Sequence, residues 1–273
     1  RAPGAGDGET PRPFPGNPLL AVALGIAAVL SGSTFFDTIN ANPHGAWDAW
    51  SIWNVRALFL LGDGDSWRNV YSPLLARTHP DYPLLLSSFI ARCWKYTGGT
   101  LPAAPITTAF FFLSATVGLL VSCVALARRT GAGLLAGLVL LASPGFVLQA
   151  PMQYSDIPLS FYVLASLGLL LIAEGSGRVT ALAGMFAALA AWTKNEGLLF
   201  CGALVAALVV VHGISAGWRR ALRELLWFLA GAAPVLLITA GFKVFLAPAA
   251  DPLVRQSFSE ALGRLSETER YLK

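Results

Sequence analysis

The chain has 273 residues, of which 55% are hydrophobic and only 12% charged, with a formal net charge of +4. Apolar stretches approaching about twenty residues recur along it, which excludes an ordinary water-soluble domain and points to an all-α polytopic membrane protein. Basic residues are scattered rather than interleaved with aromatics in a stripe, which excludes a nucleic-acid partner. The cysteines, Cys93, Cys123 and Cys201, sit in or beside apolar runs without metal-ligand spacing and are expected to be small buried hydrophobes.

Residues 1–17 are rich in Gly and Pro with mixed charge and form an expected disordered tail. A first apolar run, 18–36, has the length of a span and no small-residue cleavage site after it, so a retained helix is expected rather than a signal peptide. Asp37 directly follows; it is a weaker candidate for a general base in the loop, the alternative being that it only marks the end of that run. The long stretch 37–103 is expected to be an extracytoplasmic loop containing interfacial helices. It opens with Trp47-Asp48-Ala49-Trp50, and Trp53 continues the spacing of three. That spacing sets the indoles on one face of a short helix suited to a membrane interface. Asp48, held between indoles, would gain basicity and could act as a general base; the alternative is a helix N-cap. Arg56, two turns on, could bind a phosphate or pair with Asp48.

The loop's second polar word is His79-Pro80-Asp81-Tyr82-Pro83. Its two prolines stiffen the backbone and fix where His79 and Asp81 point, which suits a headgroup site or a divalent cation held through His79 and a carboxylate; a helix-start turn with Pro83 at the first position is the plainer alternative. The apolar part of 83–96 is too short to cross before Arg92 and Lys95, so a helix lying at the interface is expected there.

Six further apolar runs follow, 104–127, 132–149, 157–173, 179–192, 197–212 and 225–246, making about seven spans in all. Keeping 83–96 on one side puts Arg128, Arg129, Arg178, Arg219, Arg220 and Arg223 in the cytoplasm, as the positive-inside rule requires. The four polar words then share the outward side. The third is Tyr154-Ser155-Asp156-Ile157-Pro158, where Asp156 could cap the fourth span, orient a substrate, or do both. The fourth is Trp192-Thr193-Lys194-Asn195-Glu196. There Lys194 could hold an anionic phosphate beside the N-terminus of the following helix, or pair with Glu196. Residues 18–247 form the expected membrane domain, and 248–273 the start of a later extracytoplasmic loop. Arg1 in place of Met and the polar end suggest a portion of a longer protein.

Taken in order, these words resemble the GT-C membrane glycosyltransferases, in particular the bacterial protein O-mannosyltransferase and aminoarabinose transferase type, family 39-like. The shared pattern is a first span, a long outer loop with an early Asp, a Pro-rich lead into an interfacial helix, an Asp-x-Pro-Leu start to the fourth span, and a Thr-Lys break. The resemblance runs from Pro18 to about Leu246 and rests on the order and sidedness of short motifs. It implies a polyprenyl-phosphate sugar donor, an acceptor hydroxyl and inversion, in the bacterial plasma membrane with the site facing outward. By it, Asp48 stands for the catalytic acid of the first loop, Asp156 for the supporting acid of the second, and Lys194 for the Thr-Lys position near the lipid phosphate. Two departures stand out: Ala49 follows Asp48 where the family often has a second acid, and His79 replaces a Lys before the prolines. Family members are longer, which fits an N-terminal half. The expected set is Asp48 and Asp156 in catalysis, with Arg56, His79, Asp81, Tyr82, Lys194 and Glu196 binding substrate and no organic cofactor. Competing readings are a lipid or polar-solute carrier, since charged residues at broken helices also mark carrier sites, and a GT-C scaffold without activity.

Overall fold

A computed structural model describes residues 17–248 apart from Glu174. The expected tail (save Asn17) and the expected final segment (save Pro248) lie outside those residues. Every regular element described is helical. The first, α1 (Pro18–Ala41), starts where Asn17 accepts from the Leu19 N–H at 3.0 Å and Pro18 takes the first helical position. It runs five residues past the predicted end of the first apolar stretch, through Asp37, which therefore does not terminate it.

Over residues 42–102 the chain breaks into short pieces: a π-helical turn Ala49–Trp53, α2 (Asn54–Leu60), two 3-10 turns (Ser66–Tyr71 and Pro73–Thr78), and α3 (Leu85–Thr97). Pro83 lies two residues ahead of α3 rather than at its first position. This helix is amphipathic, burying Leu86, Ile90, Ala91 and Trp94 while exposing Phe89, Arg92 and Tyr96. Its buried face closes a small core with Ile52, Trp53 and Ala57.

Six apolar segments complete the described residues. They are α4 (Ala103–Ala127), α5 (Thr130–Leu141) with α6 (Pro144–Gln149), α7 (Asp156–Ile172), α8 (Gly177–Thr193), α9 (Asn195–Ala216) and α10 (Trp218–Phe245). The run 132–149 is two helices rather than one, because a residue ahead of proline avoids α geometry and Ser143 turns extended (ψ 110°) before Pro144. Four helices, α1, α4, α9 and α10, are long and apolar enough to cross a membrane; α5 and α7 are apolar but only 12 and 17 residues long. On α1, Leu19, Val22, Ile26, Val29 and Leu30 all stand exposed, an apolar exterior that suits hydrocarbon rather than water.

Helix α8 lies at the centre, packed on α7, α9 and α10. Its sequence explains why: Ala183, Ala187, Ala188, Ala190 and Ala191 are all fully buried, and small side chains let backbones approach closely. Gly184 faces the Phe228 backbone and Gly231 faces the Ala181 carbonyl, so tightly that a Cβ on either would collide. Ser166 of α7 donates to the Ala183 carbonyl at 2.9 Å. Near the start of α10, buried Glu224 accepts from Thr180 Oγ1 (3.0 Å) and Arg223 Nη2 (3.1 Å). A second core joins Phe35 and Ile39 of α1 to Ala109, Phe112 and Leu113 of α4, and to Ile157 of α7.

Short connections make successive helices antiparallel, while α4 and α7 run side by side in the same direction, Phe112 meeting Tyr162 at one end and Cys123 meeting Gly168 further along. Two distinct ends result. One gathers the loop 42–102, the 150–155 turn, the α8–α9 break and the C-terminus of α10; the other carries Arg128, Arg129, Arg178, Arg219, Arg220 and Arg223.

The tight α8–α10 crossing makes a simple prediction. Gly231→Val should lower the melting temperature in detergent, since overpacking typically costs about 1–3 kcal/mol. Gly25→Val on α1, where a side chain meets open space, should leave melting unchanged. Equal melting of the two variants would disprove the close crossing.

Candidate functional site

The polar end of the bundle is assembled by bonds between segments far apart in sequence. Gly45 (φ +76°) lets the backbone press on Met152, whose carbonyl accepts from the Ala46 N–H at 3.2 Å. Gln153, itself left-handed (φ 60°), accepts from Asn54 Nδ2 at 3.3 Å and donates Nε2 to the Pro43 carbonyl at 3.1 Å. The start of the outer loop is thus latched to the turn that leads into Asp156.

Asp48 stands at the head of the π-helical turn, half-buried and without a side-chain capping bond, so it is not an N-cap in the usual sense. The wider π winding splits the tryptophan trio. Trp47 and Trp50 are exposed and meet edge-on with centroids 4.4 Å apart, whereas Trp53 is buried. Arg56 is fully buried and donates Nη2 to the Tyr82 carbonyl rather than pairing with Asp48. Its Nε and Nη1 find no partner among the described residues, and neither does the nearby Tyr71 hydroxyl. Burial brings Arg56 down to about 10, against the opposing pull of Tyr71 and Asp81.

Residues 79–82 form a tight turn, with the Tyr82 N–H donating to the His79 carbonyl at 2.9 Å and His79 held left-handed at φ 49°. The Tyr82 ring is sandwiched, 4.8 Å from His79 on one side and 5.7 Å from Trp53 on the other. Burial raises the Tyr82 phenol, and the carboxylates of Glu196, Asp81 and Asp48 push the same way while Lys194 opposes them. Tyr82 therefore sits where charges from three of the four polar words converge. The fourth joins through Lys194, which bonds Asp156 Oδ1 at 3.0 Å and Glu196 Oε1 at 3.3 Å.

Local structure puts Lys194 there. It is the lone extended residue (φ −156°, ψ 155°) between α8 and α9, and Gly197 lies so close to the Ala190 carbonyl that only glycine fits the hairpin. Ser155, not Asp156, is the N-cap of α7; Asp156 occupies the first turn with its carboxylate turned to Lys194. Asn195 Nδ2 donates to Asp81 Oδ2 at 2.7 Å, and Lys243 of α10 donates to the Asp81 carbonyl and to Asn195 Oδ1. Asp81, Tyr82, Asp156, Lys194 and Glu196 thus form one cluster with Asp48 and His79 at its margin, while Arg56 lies enclosed behind the turn. Lys243, Asn195 and Gln153 were not singled out from the sequence. Lys243 had a legible signal, being the one ionisable residue between Glu224 and Asp251. Among the described residues there is no group of three or more His, Cys, Asp or Glu placed to hold a metal ion.

Beside this cluster lies a cavity of about 590 Å³ between α3, α4 and α7, lined by side chains including Leu85, Phe89, Phe111, Phe112 and Tyr162. Pro158 and Thr193 also line it, and they neighbour Asp156 and Lys194 in sequence. An apolar groove lined in part by the chain neighbours of a bonded ammonium offers hydrocarbon-like surface near a positive charge, the two features an anionic amphiphile needs.

Burial works against the Lys194 ammonium, but its bonds and charge contacts with Asp156 and Glu196 outweigh it and raise the lysine. The stability Lys194 contributes is therefore present in full below the unfolded lysine value of about 10.4, and is lost as pH rises through the higher folded value. In detergent melts, Lys194→Met should show a deficit that closes only above about pH 10.5; a deficit that closes near neutrality would contradict a bonded ammonium. Comparison with known proteins gave no matching family model, no matching curated protein and no matching solved structure.

Proposed function

We propose that this chain is a membrane glycosyltransferase, moving a sugar from a polyprenyl-phosphate donor to an acceptor hydroxyl on the extracytoplasmic side. The carrying observation is the apolar groove lined by Thr193 and Pro158, one and two residues along the chain from the bonded Lys194–Asp156 pair. An isoprenoid tail suits the groove, and its phosphate suits the ammonium. On this reading all seven apolar segments cross the membrane. The end bearing Arg128, Arg129, Arg178, Arg219, Arg220 and Arg223 is cytoplasmic, and the polar cluster faces outward across a bacterial plasma membrane.

The chemistry follows from these positions. Asp48 takes the proton of the acceptor hydroxyl as its oxygen attacks the anomeric carbon. The bond from that carbon to the phosphate oxygen breaks, the configuration inverts, and the departing lipid phosphate keeps the electron pair beside Lys194. Asp156 holds Lys194 in place. Glu196 is the more exposed partner of Lys194 (side-chain exposure 55% against 37% for Asp156) and makes the longer contact, so the phosphate displaces Glu196 and leaves Asp156 bonded. Asp81, Tyr82 and His79 form the wall facing the sugar. Arg56 fixes that wall from behind through the Tyr82 carbonyl and adds positive potential. A carrier would be expected to place its charged break near mid-membrane; here the break at Lys194 lies at the end of the bundle, which favours the transferase.

Sugar release from polyprenyl-phosphate donors, assayed with the longest folded form of the protein, tests this reading. Asp48→Asn should lower turnover by about a hundred- to ten-thousand-fold, the usual worth of a general base. A well-folded Asp48→Asn protein with parental turnover would remove Asp48 from that role. Binding of polyprenyl phosphate separates the ends of the ion pair: Lys194→Ala should weaken it, whereas Glu196→Gln should leave it unchanged or tighten it. Weaker binding in Glu196→Gln would show that Glu196 is not displaced.

A further inference from the structure

Lys243 plays no part in the chemistry above, yet it occupies a junction of the polar end. Its ammonium leaves the last turn of α10, donates to the Asp81 main-chain carbonyl and to Asn195 Oδ1 (2.7 Å), and lies 3.9 Å from Asp81 Oδ2. Asn195 closes the figure by donating Nδ2 to Asp81 Oδ2 at 2.7 Å. Each of the three residues contacts the other two, and they come from the outer loop, the α8–α9 break and the end of α10. Taking an ammonium and a carboxylate out of water is costly unless each finds partners, and this triangle supplies them.

The triangle grips the two halves of the proposed site. Asp81 adjoins Tyr82, whose ring stacks on Trp53 in the π-helical turn headed by Asp48. Asn195 adjoins Lys194. Two of its three N–H groups are spent on the Asp81 carbonyl and Asn195 Oδ1, and the Asp81 carboxylate 3.9 Å away balances its charge, so the Lys243 ammonium is committed within the triangle. We propose that Lys243 is a positioning residue: it holds the Asp81–Tyr82 turn against the α8–α9 break and so sets the spacing between Asp48 and Lys194, without touching the donor. This rests on the transferase reading for its effect on turnover, and on the triangle alone for its effect on structure.

The test uses Lys243→Met, Lys243→Arg and Asn195→Ala, with kcat and KM for sugar transfer and melting temperature in detergent. Positioning predicts that Lys243→Met lowers kcat by roughly tenfold or more with KM shifted less than about threefold, because a misplacement of about 1 Å can cost about a hundredfold in rate. Lys243→Arg, which can still donate to both acceptors, should recover much of kcat. A raised KM at parental kcat would mean that Lys243 holds the donor itself, and would overturn the proposal. Should Lys243→Met fail to fold, Lys243→Gln takes its place, with an intermediate kcat expected and a parental kcat again overturning it. Independently, the melting losses of Lys243→Met and Asn195→Ala should combine less than additively, since each removes the Lys243–Asn195 bond they share. Additive losses would dismantle the triangle. That comparison is readable even if the parent protein transfers no sugar, an outcome that would instead remove the transferase reading.

Discussion

An ammonium at the end of an apolar bundle must be neutralised close by, and that requirement organises the polar end of this protein. Lys194 sits in a one-residue break between α8 and α9 and is bonded by Asp156 from the start of α7 and by Glu196 from its own helix. The Lys194–Asp156 bond joins residues thirty-eight apart in the chain. Their chain neighbours Thr193 and Pro158 line the groove between α3, α4 and α7, which brings hydrocarbon-like surface close to the ionic one.

The bundle beneath makes this geometry stiff. Buried alanines along α8, and glycines where it crosses α10, bring backbones close enough that little room is left for sliding. A hairpin as tight as α8–α9, with Gly197 against the Ala190 carbonyl, then gives Lys194 few positions to occupy. At the other end Glu224 is satisfied by Thr180 and Arg223, an arrangement that locks α8 to α10 from below.

Above the bundle, the loop 42–102 is a built cap. Its own core of Trp53, Ala57, Ile90 and Trp94 packs α2 on α3, and Gln153 and the Met152 carbonyl latch it to the turn before α7. Arg56, enclosed by this cap, has a structural task in holding the Tyr82 carbonyl. Polar groups without a partner among the described residues, Arg56 Nε and Nη1, Tyr71 Oη, Ser51 Oγ and Ser155 Oγ, are costly to bury and cluster on the cap and the turn it rests on.

Hydropathy and proline placement made much legible in advance. The helical class, the positions of the apolar segments and the short amphipathic α3 follow from apolar runs that have nowhere to go but helix, because each helix satisfies its own backbone. The motif residues Asp81, Asp156, Lys194 and Glu196 were also readable, since ionisable groups are expensive in such a chain wherever they stand. Other features were decided only by packing. The break at Ser143, the π winding that buries Trp53 and exposes Trp47, the enclosure of Arg56 and the Asp81–Asn195–Lys243 triangle depend on contacts between segments up to 162 residues apart. Local sequence determines which residues must leave hydrocarbon or find a partner, because that cost belongs to the side chain itself. Which partner each one finds is set by how helices of particular length and girth fit together, and that is a property of the tertiary structure alone.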